Sequence, residues 1–172
     1  MSFTHTFEGT GRTVELERIS FLVFQEMRSN YAAQNPEPQS PQKEIKVEGD
    51  ESDFVDDVTN PAYVKAHAEW VIRDNHIQVL NMRQLYAKRG LRSEVDVQAV
   101  GNLKEDLPSL PVSIINEYEK YGLVFDQKYL DQYLYLWYVC VGTTEDYTNL
   151  ITVMTTRTQP TQSLVSASAS SF

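Results

Sequence analysis

Hydrophobic positions along the chain repeat with two different periods, and the change of period divides it. Between residues 3 and 17 the pattern alternates: Phe3, His5 and Phe7, then Val14 and Leu16, with Gly9-Thr10-Gly11 between the two runs. Alternation predicts strands, and two glycines at the reversal supply the positive φ that a tight turn wants, so a β-hairpin is expected. From Ser20 onward the spacing becomes helical. Ser20 is placed to cap a helix over FLVFQEMRSNYAAQ, with Leu22, Met27 and Tyr31 available for burial and an end at Asn35-Pro36.

The longest periodic stretch runs from Asn60 to Gly90. Asn60 suits an N-cap, Pro61 suits the first helical position, and no Gly or Pro interrupts the run before Gly90. Lys88 and Arg89 oppose the negative end of the helix dipole, and Gly90 is expected to stop the helix in the left-handed conformation. Such a helix is roughly 45 Å long and reads as the spine of the fold. Tyr63, Ala66, Trp70, Ile77 and Leu85 share one side, interrupted by Asp74 and Asn81; Val64, Val71, Ile72, Val79, Met82 and Tyr86 spread over much of the rest. A helix apolar on more than one side is sandwiched between elements, or between subunits of a homo-oligomer.

Past the spine, residues 91–111 read as an irregular connection with a short strand at Glu94–Val97. Pro111 opens a helix with Ile114, Tyr118 and Tyr121 on one face, and Gly122 ends it. A further helix capped by Asp126 extends to Gly142, apolar on every side from Tyr129 to Cys140 and therefore deeply buried. Thr143 and Asp146 have capping-box spacing for a last long helix bearing Tyr147, Leu150, Ile151 and Met154. The predicted class is mainly α (α+β): an N-terminal β-hairpin followed by a helical domain built around one long helix. Its parts are 1–34 (hairpin and short helix), 35–60 (linker), 61–157 (helical domain) and 158–172, a Ser/Ala-rich tail whose short terminal helix would be capped by Thr161.

The linker carries Pro36, Pro38 and Pro41, then Glu44, Glu48, Asp50, Glu51, Asp53, Asp56 and Asp57. It holds too few large apolar residues to fold alone, although KEIKVEGDESDFV can form a short hairpin through Gly49-Asp50. Its acidic run lacks the alternating carboxylates and sixth-position glycine of a calcium loop. The net charge of −9 disfavours nucleic acid and anionic membrane as partners. No apolar run reaches the ~18 residues of a membrane span, and the start, MSFTHTFEGTGR, does not read as a signal peptide. With a single cysteine, Cys140, no disulfide within the chain and no multi-cysteine metal site can form.

Candidate chemistry is equally sparse. His67 and His76 are nine residues apart and fall on opposite faces of the spine, so they cannot share a metal. His67-Ala68-Glu69 matches half of a zinc deaminase motif without the cysteine half, and Cys140 sits in an apolar helix where a thiol is inert. No phosphate loop, dinucleotide fingerprint or nucleophile elbow occurs. No catalytic residue, cofactor or metal is expected, and the chain is not expected to be an enzyme.

Several features in order nevertheless form a pattern: the β segment HTFEGTGRTVELERIS, the Pro-rich acidic linker, the Asn60-Pro61-Ala62-Tyr63 start of a long helix that contains Trp70 and ends near Arg89-Gly90, and the terminal phrase QPTQSLVSASASSF. In this layout the chain resembles the tail assembly chaperones of long-tailed bacteriophages. The resemblance implies a host-cytoplasmic protein that binds tape measure or tail-tube proteins during virion assembly. The alternative is a structural component of the phage tail or neck, located in the virion. The working surface expected on this reading comprises Tyr63, Trp70 and Ile77 on the spine, with Val165 and Phe172 at the end.

Overall fold

The computed structural model describes residues 2–47, 49 and 52–155. The tail with Val165 and Phe172, the expected terminal helix and the last residues of the 61–157 segment lie outside the described residues. Strand β1 (Ser2–Phe7) pairs antiparallel with β2 (Arg12–Glu17), from Ser2 opposite Glu17 to Phe7 opposite Arg12. Gly11 takes φ 68° at the reversal, and its N–H donates to the Phe7 carbonyl at 2.7 Å. Alternation does what it predicted, with Phe7, Val14 and Leu16 all buried on the inner face.

Helix α1 (Phe21–Gln34) starts at Ser20, whose hydroxyl accepts from the Leu22 N–H at 3.3 Å. Tyr31 is buried as expected; Leu22 instead faces solvent. Strands β3 (Gln42–Lys46) and β4 (Ser52–Asp56) then pair as a second hairpin, with Gly49 at φ 109° in the turn, so the acidic linker is solvated but ordered in part. Helix α2 spans Pro61–Leu85, its first turn held by the Asn60 side chain, which accepts from Ala62 and Tyr63 N–H at 3.0 and 3.2 Å. Helix α1 runs back along it: the Phe24 ring meets Tyr86 at 5.8 Å, while the Asn35 carbonyl accepts from the Trp70 indole at 3.2 Å.

Three expectations about this region and the next are corrected. The spine reaches Gly90, but its last turn, Tyr86–Gly90, widens to a π-helical one, closed by Leu91 N–H on the Tyr86 carbonyl at 3.0 Å. Gly90 is not among the glycines with positive φ; a Cβ there would strike the Met154 methyl, so close packing is the reason for the glycine. The strand expected at Glu94–Val97 is absent; residues 97–106 form helix α3 (Val97–Asp106), capped by the Asp96 carboxylate on the Ala99 N–H at 2.9 Å. The bridge to the N-terminal hairpin is made earlier, by Leu91 against Leu16.

Helix α4 (Leu110–Lys120) buries Ile114 and Tyr118, and Gly122 takes φ 72° just past its end. The helix expected from Asp126 to Gly142 is not uniform. A 3-10 turn (Gln127–Tyr129) leads into α5 (Leu130–Leu134), which widens into a π-helical segment over Tyr135–Cys140. Asp126 stands just ahead of that turn without a geometric capping hydrogen bond, and its carboxylate accepts from Lys88 Nζ at 2.9 Å. Helix α6 (Thr144–Thr155) closes the body. Tyr86, Tyr118, Tyr133, Leu136, Leu150 and Met154 are all within 2 % of full burial, each contributing roughly 1.5–3 kcal/mol of transfer free energy. Two wide turns meet in this core, where the Tyr86 and Trp137 rings stack at 6.1 Å.

Candidate interaction surface

Helix α2 belongs to two environments. From Pro61 to His76, about four turns, none of its residues is buried; Ile77, Leu80, Tyr86 and Ala87 are. The N-terminal half therefore stands out from the body as an arm, backed by α1 on one side and carrying the β3–β4 hairpin at its end. None of the described hairpin residues is buried. The hairpin base is tied by Asp57, whose N–H donates to the Pro41 carbonyl at 2.6 Å and whose carboxylate accepts from Lys43 at 3.2 Å and Thr59 at 2.8 Å. These two side-chain contacts, Thr59 first, hold the Asp57 carboxyl below its ordinary pKa.

The expected surface residues separate. Tyr63 and Trp70 are half-buried, and the chain just past α1 lies against Trp70 and His67. The Trp70 indole is spent on the Asn35 carbonyl, and His67, between the two rings at 5.6 and 5.9 Å, donates to Glu37 at 2.8 Å. Ile77 is a correction: at 0 % exposure it is the first buried residue along α2, and no partner reaches it while the protein stays folded. Val165 and Phe172 lie outside the described residues. Of five expected residues, the structure thus aligns Tyr63 and Trp70 on either side of His67, with Asn35 of their own chain on Trp70.

The accessible apolar surface is on the other side of the arm. Val64 and Ile72 are more than half exposed, with Ala68 between them at the four-residue spacing that stacks side chains on one helix face. The same face continues through Asn75 to Val79, where it opens into a groove between α1 and α2 lined by Phe24, Met27, Val79 and Met82 with Arg28 and Gln78. Phe54 and Val58 extend exposed apolar surface to the hairpin end, and Phe21 and Leu22 do so at the start of α1. The second apolar set on the spine was the signal for this face; the exposure of Phe54 and Phe21 had none, since a strand or helix residue of that type is ordinarily turned inward.

His76 is engaged by the Tyr121 hydroxyl at 2.5 Å, on the body side of α2 and away from His67. Cys140 is fully buried, and desolvation pushes its thiol up to about 11. Among the described residues no group of three His, Cys, Asp or Glu side chains is arranged to hold a metal, and no helix is long and apolar enough to cross a membrane. In comparisons with known proteins, no family model, no curated protein and no solved structure matches the chain.

Proposed function

We propose that the chain is a non-enzymatic assembly factor, a tail assembly chaperone in a long-tailed bacteriophage, that covers an apolar stretch of a tape measure or tail-tube protein in the host cytoplasm. The observation that supports this reading is the open apolar face of the arm, Val64–Ala68–Ile72, running into the Phe24–Met82 groove. An apolar helix of a partner fits such a face by the anchor spacing of helix-in-groove recognition. The surrounding negative charge, −9 over the chain, keeps the loaded complex soluble.

The test is quantitative mass spectrometry of infected-cell lysate beside purified particles. A chaperone is abundant in lysate and absent from particles. A fixed, stoichiometric copy number in particles replaces this reading with a structural tail or neck component, and absence from both removes the phage assignment altogether. In lysate pull-downs, Val64→Glu/Ile72→Glu is expected to lose the tail protein while wild type retains it.

A further inference from the structure

The β3–β4 hairpin treats its two outer edges differently. The Asp57 N–H donates to the Pro41 carbonyl opposite it, which sets the phase of the ladder. Lys43 with Val55 and Ile45 with Asp53 are then the pairs that exchange backbone bonds, while Gln42, Glu44 and Lys46 on β3, and Phe54 on β4, direct theirs outward. On the β4 side the Phe54 N–H is taken by the Asp53 carboxylate at 2.9 Å. On the β3 side, among the described residues, nothing meets the outward N–H of Gln42, Glu44 or Lys46, and every residue of the strand is exposed. An open edge of this kind is a template for another strand, and a hairpin of two strands gains most from one.

The edge is complementary to itself. Two copies of Lys43-Glu44-Ile45-Lys46-Val47 laid antiparallel about Ile45 set Glu44 opposite the partner's Lys46, and Lys46 opposite the partner's Glu44. Both are outward-directed positions, so each pair can exchange its backbone bonds as well as its charges. On the other face Ile45 meets its own counterpart, and the Lys43 stem meets the partner's Val47; Ile45 and Val47 are 38 % and 49 % exposed in the single chain. The neighbouring registers set Glu44 against Glu44 or Lys46 against Lys46, so charge selects this one. Asp53 and Asp56 lie on β4, away from the join. We propose that β3 is a homodimer interface, with two copies pairing edge to edge into a four-stranded sheet ordered β4–β3–β3–β4. The pairing is isologous and closes on itself. It uses none of the Val64–Ala68–Ile72 face and stands without the assembly reading.

Sedimentation equilibrium over a range of chain concentrations tests it, at about 0.15 M ionic strength to screen repulsion between two chains of net charge −9. Wild type should approach twice the 19.7 kDa of one chain. Glu44→Lys sets Lys against Lys and Lys46→Glu sets Glu against Glu, so each alone should self-associate at least ~10-fold more weakly. Mixed in equal amounts, the two variants are complementary and should recover the wild-type affinity. A wild type that stays at one chain's mass overturns the proposal, as does a variant that dimerises like wild type or a mixture that recovers nothing. Should either variant lose the hairpin, Ile45→Cys decides in its place. Facing cysteines at a non-hydrogen-bonded pair lie within disulfide reach, and the native Cys140 is buried. Mild oxidation should join two chains through Ile45→Cys and not through Phe54→Cys on β4; equal cross-linking at both positions, or at neither, overturns the interface.

Discussion

Asp146 is the buried charged residue of the described chain, 3 % exposed, and it ties three segments together. Its carboxylate accepts from Gly9 N–H in the β1–β2 turn and from Gly142 and Thr143 N–H ahead of α6, each at 3.1 Å, while its own N–H donates to the Thr143 hydroxyl at 3.1 Å. The capping box read from the sequence is therefore half of a larger clamp, and the close approach explains two glycines: a Cβ at Gly9 would strike the Asp146 carboxylate, and one at Gly142 the Thr10 methyl at 2.6 Å. Desolvation pushes the Asp146 carboxyl up, but the hydrogen bonds from Gly9, Gly142 and Thr143 outweigh it and the net shift is downward. A carboxyl lowered by folding stabilises above its unfolded pKa of about 3.9, and that stability is lost as pH falls through the folded value. His5, lowered chiefly by desolvation and raised in part by the Asp146 charge, has the same sign at higher pH: its contribution starts to fade below about 6.5. Asp146→Asn should melt roughly 5 °C below wild type at pH 7, and the gap should narrow as pH drops below ~4. Melting curves between pH 3 and 8 check this, and a constant gap would show that ionisation is not what the clamp uses. Two tyrosines give an opposite pair of expectations. The Tyr118 hydroxyl donates to the Leu80 carbonyl at 2.5 Å, whereas the Tyr86 hydroxyl is buried with no partner. Tyr118→Phe should therefore cost about 1 kcal/mol in urea unfolding, and Tyr86→Phe should be neutral or gain about as much.

At the scale of elements, the sequence announces starts better than ends. Ser20, Asn60 and Thr143 carry their caps in their own side chains, so each helix start could be read directly. Ends depend on what arrives from elsewhere. Gly90 was legible as a stop, but for the wrong reason, because only the fold brings Met154 of α6 against it. The π-helical widening at Tyr86–Gly90 and Tyr135–Cys140 leaves no trace in periodicity, since an extra residue per turn simply spreads the apolar set around the helix. Helix α3 was missed because Gly101 and a polar stretch, Asn102 to Asp106, hide two inward residues, Val100 and Leu103. The surface was half legible: the second apolar set on α2 pointed to it, while Trp70, the most conspicuous residue, proved to be half-buried with its indole held by Asn35 and its neighbour His67 by Glu37, contacts between segments at least 30 positions apart that no local pattern encodes. Packing of α6 on the end of α2 is testable as a pair. Gly90→Ala should cost ~1 kcal/mol, because the obstructing atom is the tip of a flexible side chain. Met154→Ala alone should cost ~2–5 kcal/mol as a core truncation. The double mutant should be less destabilised than the sum, by more than ~0.5 kcal/mol; strict additivity would place the strain at Gly90 elsewhere.

For the molecule as a whole, one continuous helix joins a packed body to an arm that buries little, and stability should follow that division. Beyond Ile77 toward the body, α2 is anchored by Leu80, Tyr86 and Ala87 and by side-chain hydrogen bonds to its carbonyls from Tyr118 and Trp137. Toward the tip, α1 and residues 35–38 supply half-burial on one face, and a two-stranded hairpin, marginal by itself, supplies no buried residue. An isolated helical segment of that length is marginal in water, so the arm's order is borrowed from the body, whose core α2 enters at Leu80, and from α1. Local opening should therefore begin at the tip and stop near Ile77. Native-state hydrogen exchange on the free protein should find amides 64–74 exchanging on the order of 10²-fold faster than amides 80–87. Ile77→Ala, at the junction, should cost ~2–4 kcal/mol and spread fast exchange across α1, whereas Ile72→Ala on the open face should stay within about 0.5 kcal/mol of wild type. If a partner covers the Val64–Ala68–Ile72 face, adding it should slow exchange at the tip and leave amides 80–87 unchanged, because only the first of these regions has unspent surface to bury. Uniform protection along α2 in the free protein would mean that the arm is already stabilised on its own, and a partner would then have far less ordering to contribute.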